Sequence, residues 1–146
     1  MIASSTDTHA DLVEAAARAG KAIFCEKPLD LDRRRAEACA AVAEKSKVPL
    51  MVAFNRRFDP NFARLEHEIR AGRIGQPEIL HITSYDPAPP TIEFVRRSGG
   101  MFRDMMIHDL DMACWLSGEE PVELFATASV MVDPAIGEGA MSIPLS

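Results

Sequence analysis

Alternation between short apolar runs and amphipathic stretches dominates the first 54 residues, and it constrains the fold more than any other feature. Apolar runs at residues 1–4, 21–25 and 48–54 predict strands. Residues 9–19 and 31–46 between them have the apolar spacing of helices. This strand–helix–strand–helix–strand order predicts an α/β unit of parallel strands joined by right-handed crossovers.

Local signals mark the ends of these two helices. Thr8 precedes Asp11 by three residues, which predicts a capping box at the start of the first helix, and Gly20 ends it. Either Asp30 or Asp32 can cap the second helix. The predicted core-facing positions are Leu12, Val13, Ala16 and Ala17 on the first helix, and Ala36, Cys39, Ala40 and Ala43 on the second.

The pattern changes at Asn55. Asp59 and Pro60 begin a helix that runs to about residue 71, and residues 101–116 predict another. Alternation at residues 78–85 and the apolar run at 122–132 predict strands, whereas residues 133–146 have no clear pattern. We therefore predict two parts, an α/β unit over 1–54 and an incomplete α+β unit with antiparallel strands over 55–146.

Composition excludes several classes of protein. Apolar residues make up 47% and charged residues 26% of the chain, which is typical of a globular protein. The net charge of −6 argues against nucleic acid or an anionic membrane as a partner. Three widely spaced cysteines without a CxxC pair indicate reduced thiols and a cytoplasmic location. No apolar run reaches the ~20 residues of a membrane span, and no secretory signal is recognisable.

Lys27 is the first candidate for chemistry. Glu26, Lys27 and Pro28 follow the second predicted strand, and ligands of open α/β sheets bind at the carboxyl ends of strands. Partial desolvation beside Phe24 and Cys25 favours a lysine that donates to a substrate hydroxyl or relays a proton. The alternative is a surface lysine paired with Glu26.

Asp104 and His108 are the second candidates, because four residues apart on one helix they share a face. A carboxylate and an imidazole suit acid–base catalysis near neutral pH. The alternative is a buried, hydrogen-bonded histidine beside a solvated Asp104. Asp111 could join them as a metal ligand, but no HExxH or comparable motif is present, so we predict no metal site.

Two further sets of residues leave their roles open. Arg56 and Arg57 follow the third strand and could bind phosphate or hydroxyl groups, or form salt bridges to Asp59 or Glu66. His9 lies in the first turn of a helix, where N–H groups favour anions, although it also fits an ordinary helix start.

Four ordered segments resemble the Gfo/Idh/MocA oxidoreductases, and within them the inositol 2-dehydrogenases. They are SSTDTH from Ser4, FCEKPLD from Phe24, NRRFDP from Asn55 and GGMFRDMMIHDLD from Gly99. Members of this family bind a nicotinamide cofactor in an N-terminal Rossmann domain, and their substrate lies over an antiparallel sheet. The resemblance thus implies NAD-dependent oxidation of a small polyol such as inositol, in a protein that commonly forms homo-oligomers.

The resemblance also assigns roles to individual residues. Lys27 would bridge cofactor and substrate, Asp104 would contact the substrate, and His108 would accept the proton of the oxidised hydroxyl. Arg57 and Asp86 match positions that touch the polyol. The positions that would border the cofactor are Ser4, Ser5, His9, Glu26 and Pro28.

The chain also departs from the family. None of its eight glycines forms the G-x-G-x-x-G turn, and the acidic residue that holds the ribose is missing. We therefore expect the C-terminal half of a Rossmann sheet, a truncated chain that binds NAD weakly and is inactive alone, and a preference between NAD and NADP that these residues do not determine. Two alternatives are another sugar or polyol oxidoreductase of the family and a non-enzymatic remnant that only associates with partners.

Overall fold

The computed structural model describes residues 1–131 and Pro134, and these residues form two units. The first unit contains Met1–Phe54 and Arg97–Gly99. The second contains Asn55–Arg96 and the described residues from Gly100 onward.

Two short parallel strands organise the first unit. Strand β1 is Ile23–Cys25 and β2 is Leu50–Val52, with Ile23 opposite Leu50 and Cys25 opposite Val52. The strand predicted at residues 1–4 is reduced to one parallel bridge, between Ile2 and Cys25. Only the N–H and C=O of Ile2 pair there, with Phe24 O at 2.8 Å and Glu26 N at 2.9 Å. The predicted parallel order is confirmed. Strands β1 and β2 are shorter than predicted, because only three residues of each apolar run pair with the neighbouring strand.

Two helices pack on this sheet. Helix α1 is His9–Arg18 and helix α2 is Arg33–Lys45, and they contact each other as well as the strands. The prediction of Leu12 as a core residue is wrong, since it is 44% exposed and Ala10 is buried instead. The core of this unit consists of Ala10, Val13, Ala17, Ile23, Cys25, Cys39 and Ala43.

The helix caps were predicted in part. Asp32 caps α2, because its side chain accepts a hydrogen bond from the Arg35 amide at 3.0 Å. The capping box predicted at Thr8 does not form. The Thr8 hydroxyl instead donates to Ser5 O at 2.8 Å, which takes it away from the amides of the first turn of α1.

All the regular secondary structure in the described part of the second unit is helical. After a 3₁₀ helix at Asn55–Phe58 come α3 (Pro60–Arg70), α4 (Ile92–Ser98), α5 (Gly100–Asp104) and α6 (Met106–Ser117). The last residues of α4 belong to the first unit. Asp59 caps α3 as predicted, with its carboxylate 2.8 Å from the Asn61 amide. Among the described residues, no helix is long and apolar enough to cross a membrane.

The strands predicted at residues 78–85 and 122–132 are not formed in the described part of the chain. Residues 78–85 and 122–131 pair with no neighbouring strand. Ile79, Tyr85 and Phe125 are each at least 88% exposed. Alternation specifies which side chains could share a face, but a strand exists only when its backbone has a hydrogen-bonded partner. Val132 and the predicted irregular tail at 133–146, apart from Pro134, lie outside the described residues.

Candidate active site

Lys27 lies in the loop that follows β1, with a hydrogen-bonded peptide group on each side of it. The Glu26 amide donates to Ile2 O at 2.9 Å. Pro28 O is 2.8 Å from His9 Nδ1, and the Lys27–Pro28 peptide bond is cis. The backbone that carries Lys27 is therefore attached both to the neighbouring bridge strand and to α1.

His9 is the first residue of α1, as predicted, but its ring is buried. It is 1% exposed, and its two ring nitrogens lie 2.8 Å from Pro28 O and 3.0 Å from Ser4 O. The polar atoms of the ring are thus used within the chain. Sequence reasoning placed the residue correctly on α1 but missed this contact with two loops.

Ser4 and Ser5 form an exposed loop at the same sheet edge as Lys27, since Ile2 and β1 run parallel. The Ser4 and Thr8 hydroxyls are 2.6 Å apart. A hydrogen bond from Ser5 lowers the pKa of Asp7 in the next turn, with smaller contributions from Arg97 and His9. This edge therefore offers hydroxyls and a carboxylate that remains ionised at neutral pH.

Cys25 is the buried residue immediately before this loop. Its thiol is fully buried, and burial raises the pKa of Cys25 to about 11, with Cys39 and Glu26 adding to the effect. Burial likewise raises the pKa of Cys39. Both side chains are therefore protonated, weakly nucleophilic thiols at neutral pH, and they act as packing residues.

Asp104 and His108 lie on consecutive helices of the second unit, which corrects the prediction of one continuous helix over 101–116. Asp104 ends α5 and His108 lies in the first turn of α6. The helix is interrupted at Met105 because the His108 amide donates to Met105 O, three residues back, at 3.2 Å. Both side chains are half-buried.

Arg56 and Arg57 form ion pairs with Asp109 and Asp111 of α6, whereas the structural alternative from the sequence named Asp59 and Glu66 as partners. Arg57 forms a two-pronged contact with Asp111, at 2.9 Å from Nε and 2.5 Å from Nη2. These hydrogen bonds raise the pKa of Arg57, whose guanidinium also lies 5.8 Å from the centre of the Trp115 ring.

A second contact runs beside the first. Arg56 pairs with Asp109, and the Ser84 hydroxyl donates to the same carboxylate at 2.7 Å. Asp109 and Asp111 are thus the ion-pair partners of the two arginines, which sequence reasoning did not predict. The one available signal was the adjacency of two arginines in one segment and two acidic residues after His108 in another.

Two predictions remain, the substrate-binding role of Asp86 and the absence of a metal site. Asp86 lies in an exposed loop of the second unit. Over residues 1–131 and 134, no group of three or more His, Cys, Asp or Glu side chains is placed to hold a metal ion.

Comparison with known proteins identifies the family to which the chain belongs. Residues 1–54 match the family described as an oxidoreductase family with an NAD-binding Rossmann fold. Residues 62–142, more than half of the chain, match the GFO/IDH/MocA C-terminal domain. The chain belongs to the GFO/IDH/MocA family of oxidoreductases. Its Lys27 loop lies in the part that matches the NAD-binding fold, and Asp104 and His108 lie in the part that matches the C-terminal domain.

Relatives within the GFO/IDH/MocA family include inositol dehydrogenases. The inositol 2-dehydrogenase of Rhizobium meliloti is 58% identical over 138 residues. A myo-inositol dehydrogenase from Corynebacterium glutamicum is 42% identical with a TM-score of 0.86, over 94% of this chain and 41% of that one. A scyllo-inositol dehydrogenase from Lactobacillus casei, solved with NAD(H) and scyllo-inositol, is 34% identical with a TM-score of 0.70, over 82% of this chain and 37% of that one. Although 94% of the chain matches the R. meliloti enzyme, it spans only 42% of that protein.

Proposed function

We propose that this chain supplies the catalytic groups of an NAD-dependent polyol dehydrogenase that oxidises a ring hydroxyl of inositol, as a myo-inositol 2-dehydrogenase does. The observation that carries the proposal is the Lys27 loop, fixed at the carboxyl end of a parallel strand in the part that matches an NAD-binding fold. The 58% identity to an inositol 2-dehydrogenase supports the choice of substrate.

In this proposal, one part of the chain binds the cofactor and the other binds the substrate. Residues 1–54 form the C-terminal half of a Rossmann domain without its glycine-rich turn, and 55–146 the first part of an α+β substrate domain with antiparallel strands. Ser4, Ser5, Glu26 and Pro28 border the nicotinamide side of the cofactor, and His9 acts there through the Ser4 and Pro28 loops. The bound cofactor supplies the hydride acceptor.

The proposed chemistry removes a proton and a hydride from one alcohol group. His108 takes the hydroxyl proton as general base, and the C–H bond breaks as its electron pair leaves with the hydrogen, so that a ketone forms. Lys27 donates a hydrogen bond to the reacting oxygen and lowers the cost of charge developing there. Asp104 orients a hydroxyl or stabilises the imidazolium, and Arg57 and Asp86 bind other hydroxyls of the polyol.

A second substrate is supported by the similarity to the L. casei enzyme solved with scyllo-inositol. Inositol isomers such as myo-inositol and scyllo-inositol differ only in whether a ring hydroxyl is axial or equatorial. The same general base can therefore remove the hydroxyl proton of either isomer. The choice between them therefore belongs to the residues that bind the remaining hydroxyls.

A chimera tests the proposal, because the relatives are longer than this chain. The 138 matching residues replace their counterparts in the R. meliloti enzyme, and NADH formation is followed by absorbance with myo-inositol, scyllo-inositol and glucose. We expect turnover of an inositol and a loss of about 10²–10⁴-fold in kcat on His108→Gln. His67→Gln, an exposed histidine on α3, is the matched control.

Two results would contradict the proposal. One is a chimera that binds NAD but oxidises none of the polyols, which would favour a member that acts on another substrate or only associates with partners. The other is a His108→Gln chimera as active as its parent, which would remove His108 from the reaction.

A further inference from the structure

His9 has an unusual combination of burial and hydrogen-bonding partners. The residue is 1% exposed, so water does not satisfy its ring. Each ring nitrogen lies at hydrogen-bonding distance from a backbone carbonyl oxygen, Nδ1 at 2.8 Å from Pro28 O and Nε2 at 3.0 Å from Ser4 O. A carbonyl oxygen can only accept, so a ring that satisfies both contacts donates from both nitrogens.

The two carbonyls belong to two different loops at one edge of the sheet. Ser4 follows the bridge residue Ile2, and Pro28 follows β1 and Lys27. These loops lie side by side because the two backbone segments run parallel. His9, at the start of α1, therefore joins three separate segments of the first unit through one side chain.

We propose that His9 is a positioning residue that donates one hydrogen bond to each loop and thereby holds the backbone that carries Lys27. On the other side of Lys27, the Glu26 amide is fixed to Ile2 O at 2.9 Å. The catalytic consequence rests on the proposed function above, whereas the double hydrogen bond is a property of the chain itself.

Asp7, in the turn just before α1, interacts electrostatically with His9, although its main partner is the Ser5 hydrogen bond. Arg97 also acts electrostatically on Asp7.

Nuclear magnetic resonance of the 146-residue chain, with ¹⁵N-labelled histidine at neutral pH, tests the hydrogen bonds without any assay of activity. We expect two ring N–H protons for His9, both protected from exchange with water, whereas the exposed His67 and His81 show none that are protected. A single ring N–H proton on His9, or rapid exchange of both, would overturn the proposal.

Three substitutions separate the two bonds. The side-chain nitrogen of Asn is positioned like Nδ1 of His, and that of Gln like Nε2. His9→Asn therefore keeps the Pro28 contact, His9→Gln keeps only the Ser4 contact, and His9→Leu removes both. In the chimera, we expect His9→Leu and His9→Gln to lower kcat by about 10²-fold with little change in the KM for inositol, and His9→Asn to recover most of it.

Unfolding midpoints are measured on the same variants. Suppose that kcat falls across the three variants in proportion to the unfolding midpoint, whether or not the hydrogen bond to Pro28 is kept. In that case His9 has only a structural role and the proposal is wrong. If the parent chimera is inactive, the proposed function fails, but the magnetic resonance experiment still decides whether His9 bonds to both loops.

Discussion

Asp111 shows how much a single side chain can contribute in the second unit. Its carboxylate is 8% exposed and accepts two hydrogen bonds from Arg57. Asp111→Asn removes the negative charge that faces the guanidinium and replaces one acceptor with a donor. We expect the free energy of unfolding to fall by about 1–3 kcal/mol, measured by urea denaturation.

An exposed ion pair is the control for this prediction. Arg33 and Glu37 form an i,i+4 contact with side chains 89% and 60% exposed. Glu37→Gln should leave the free energy of unfolding almost unchanged, because exposed pairs of this kind contribute little. Equal effects for the two variants would show that the Arg57–Asp111 contact contributes no more than a surface pair.

At the residue scale, the sequence identifies reactive types but not their partners. Motifs select Lys27, Asp104 and His108, and the structure places Lys27 in the loop after β1, Asp104 at the end of α5 and His108 in the first turn of α6. The Arg57–Asp111 contact joins positions 54 residues apart, and no local spacing encodes such a pair. The two carbonyl partners of His9 could not be predicted either, because every residue has a backbone carbonyl and residue type does not indicate which one accepts a hydrogen bond.

At the element scale, a cluster of charges connects α1 to α2. Arg35 of α2 pairs with Glu14 and lies 2.5 Å from Asp11, both on α1. The hydrogen bond from Arg35, with a further one from Arg18, lowers the pKa of Glu14 below its ordinary 4.5. A depressed carboxylate pKa stabilises the fold above about pH 4.5, and this stabilisation is lost as the pH falls through the folded-state value.

Arg35→Met tests this linkage. Without the guanidinium, the pKa of Glu14 should return toward its ordinary value, so the variant should lose less stability than the parent chain between about pH 5 and pH 3. Unfolding in urea at several pH values measures the slope, and Arg34→Met, an exposed neighbour, is the control. A variant with the same slope as its parent would exclude Glu14 as a source of acid sensitivity.

Helices were easier to predict than strands, for a physical reason. A helix forms its hydrogen bonds within one segment, so spacing and end signals such as Asp59 with Pro60 suffice to locate it. A strand needs a partner that its own residues do not specify. Residues 23–25 and 50–52 pair as parallel strands, whereas residues 78–85 and 122–131 pair with no strand among the described residues.

At the scale of the whole molecule, order along the chain carried more information than any one motif. Each candidate residue had an ordinary structural alternative, and the order of four segments is what indicated the family. The family models match on either side of residues 55–61, where the chain changes from an α/β to a helical pattern. Function could be proposed from this order, whereas the ion pairs of Arg56 and Arg57 with α6 could only be seen in the structure.

A polypeptide of these 146 residues should bind NAD weakly or not at all. In Rossmann folds, a glycine-rich turn at a helix N-terminus holds the pyrophosphate and an acidic residue holds the ribose. These residues contain neither G-x-G-x-x-G nor that acidic position, and what they contribute is the Lys27 loop with Ser4 and Ser5. Two or three missing contacts at about 1.5–3 kcal/mol each weaken binding by at least about 10²-fold.

Calorimetric titration with NAD measures this difference directly. We expect no binding in the micromolar range for the 146-residue polypeptide, and restored binding for the chimera, in which the R. meliloti enzyme supplies the remaining residues. Micromolar affinity of the polypeptide alone, or inositol-dependent NADH formation by it, would show that the Lys27 side of the cofactor site holds the dinucleotide without the glycine-rich turn. In that case the binding energy would come chiefly from the nicotinamide end.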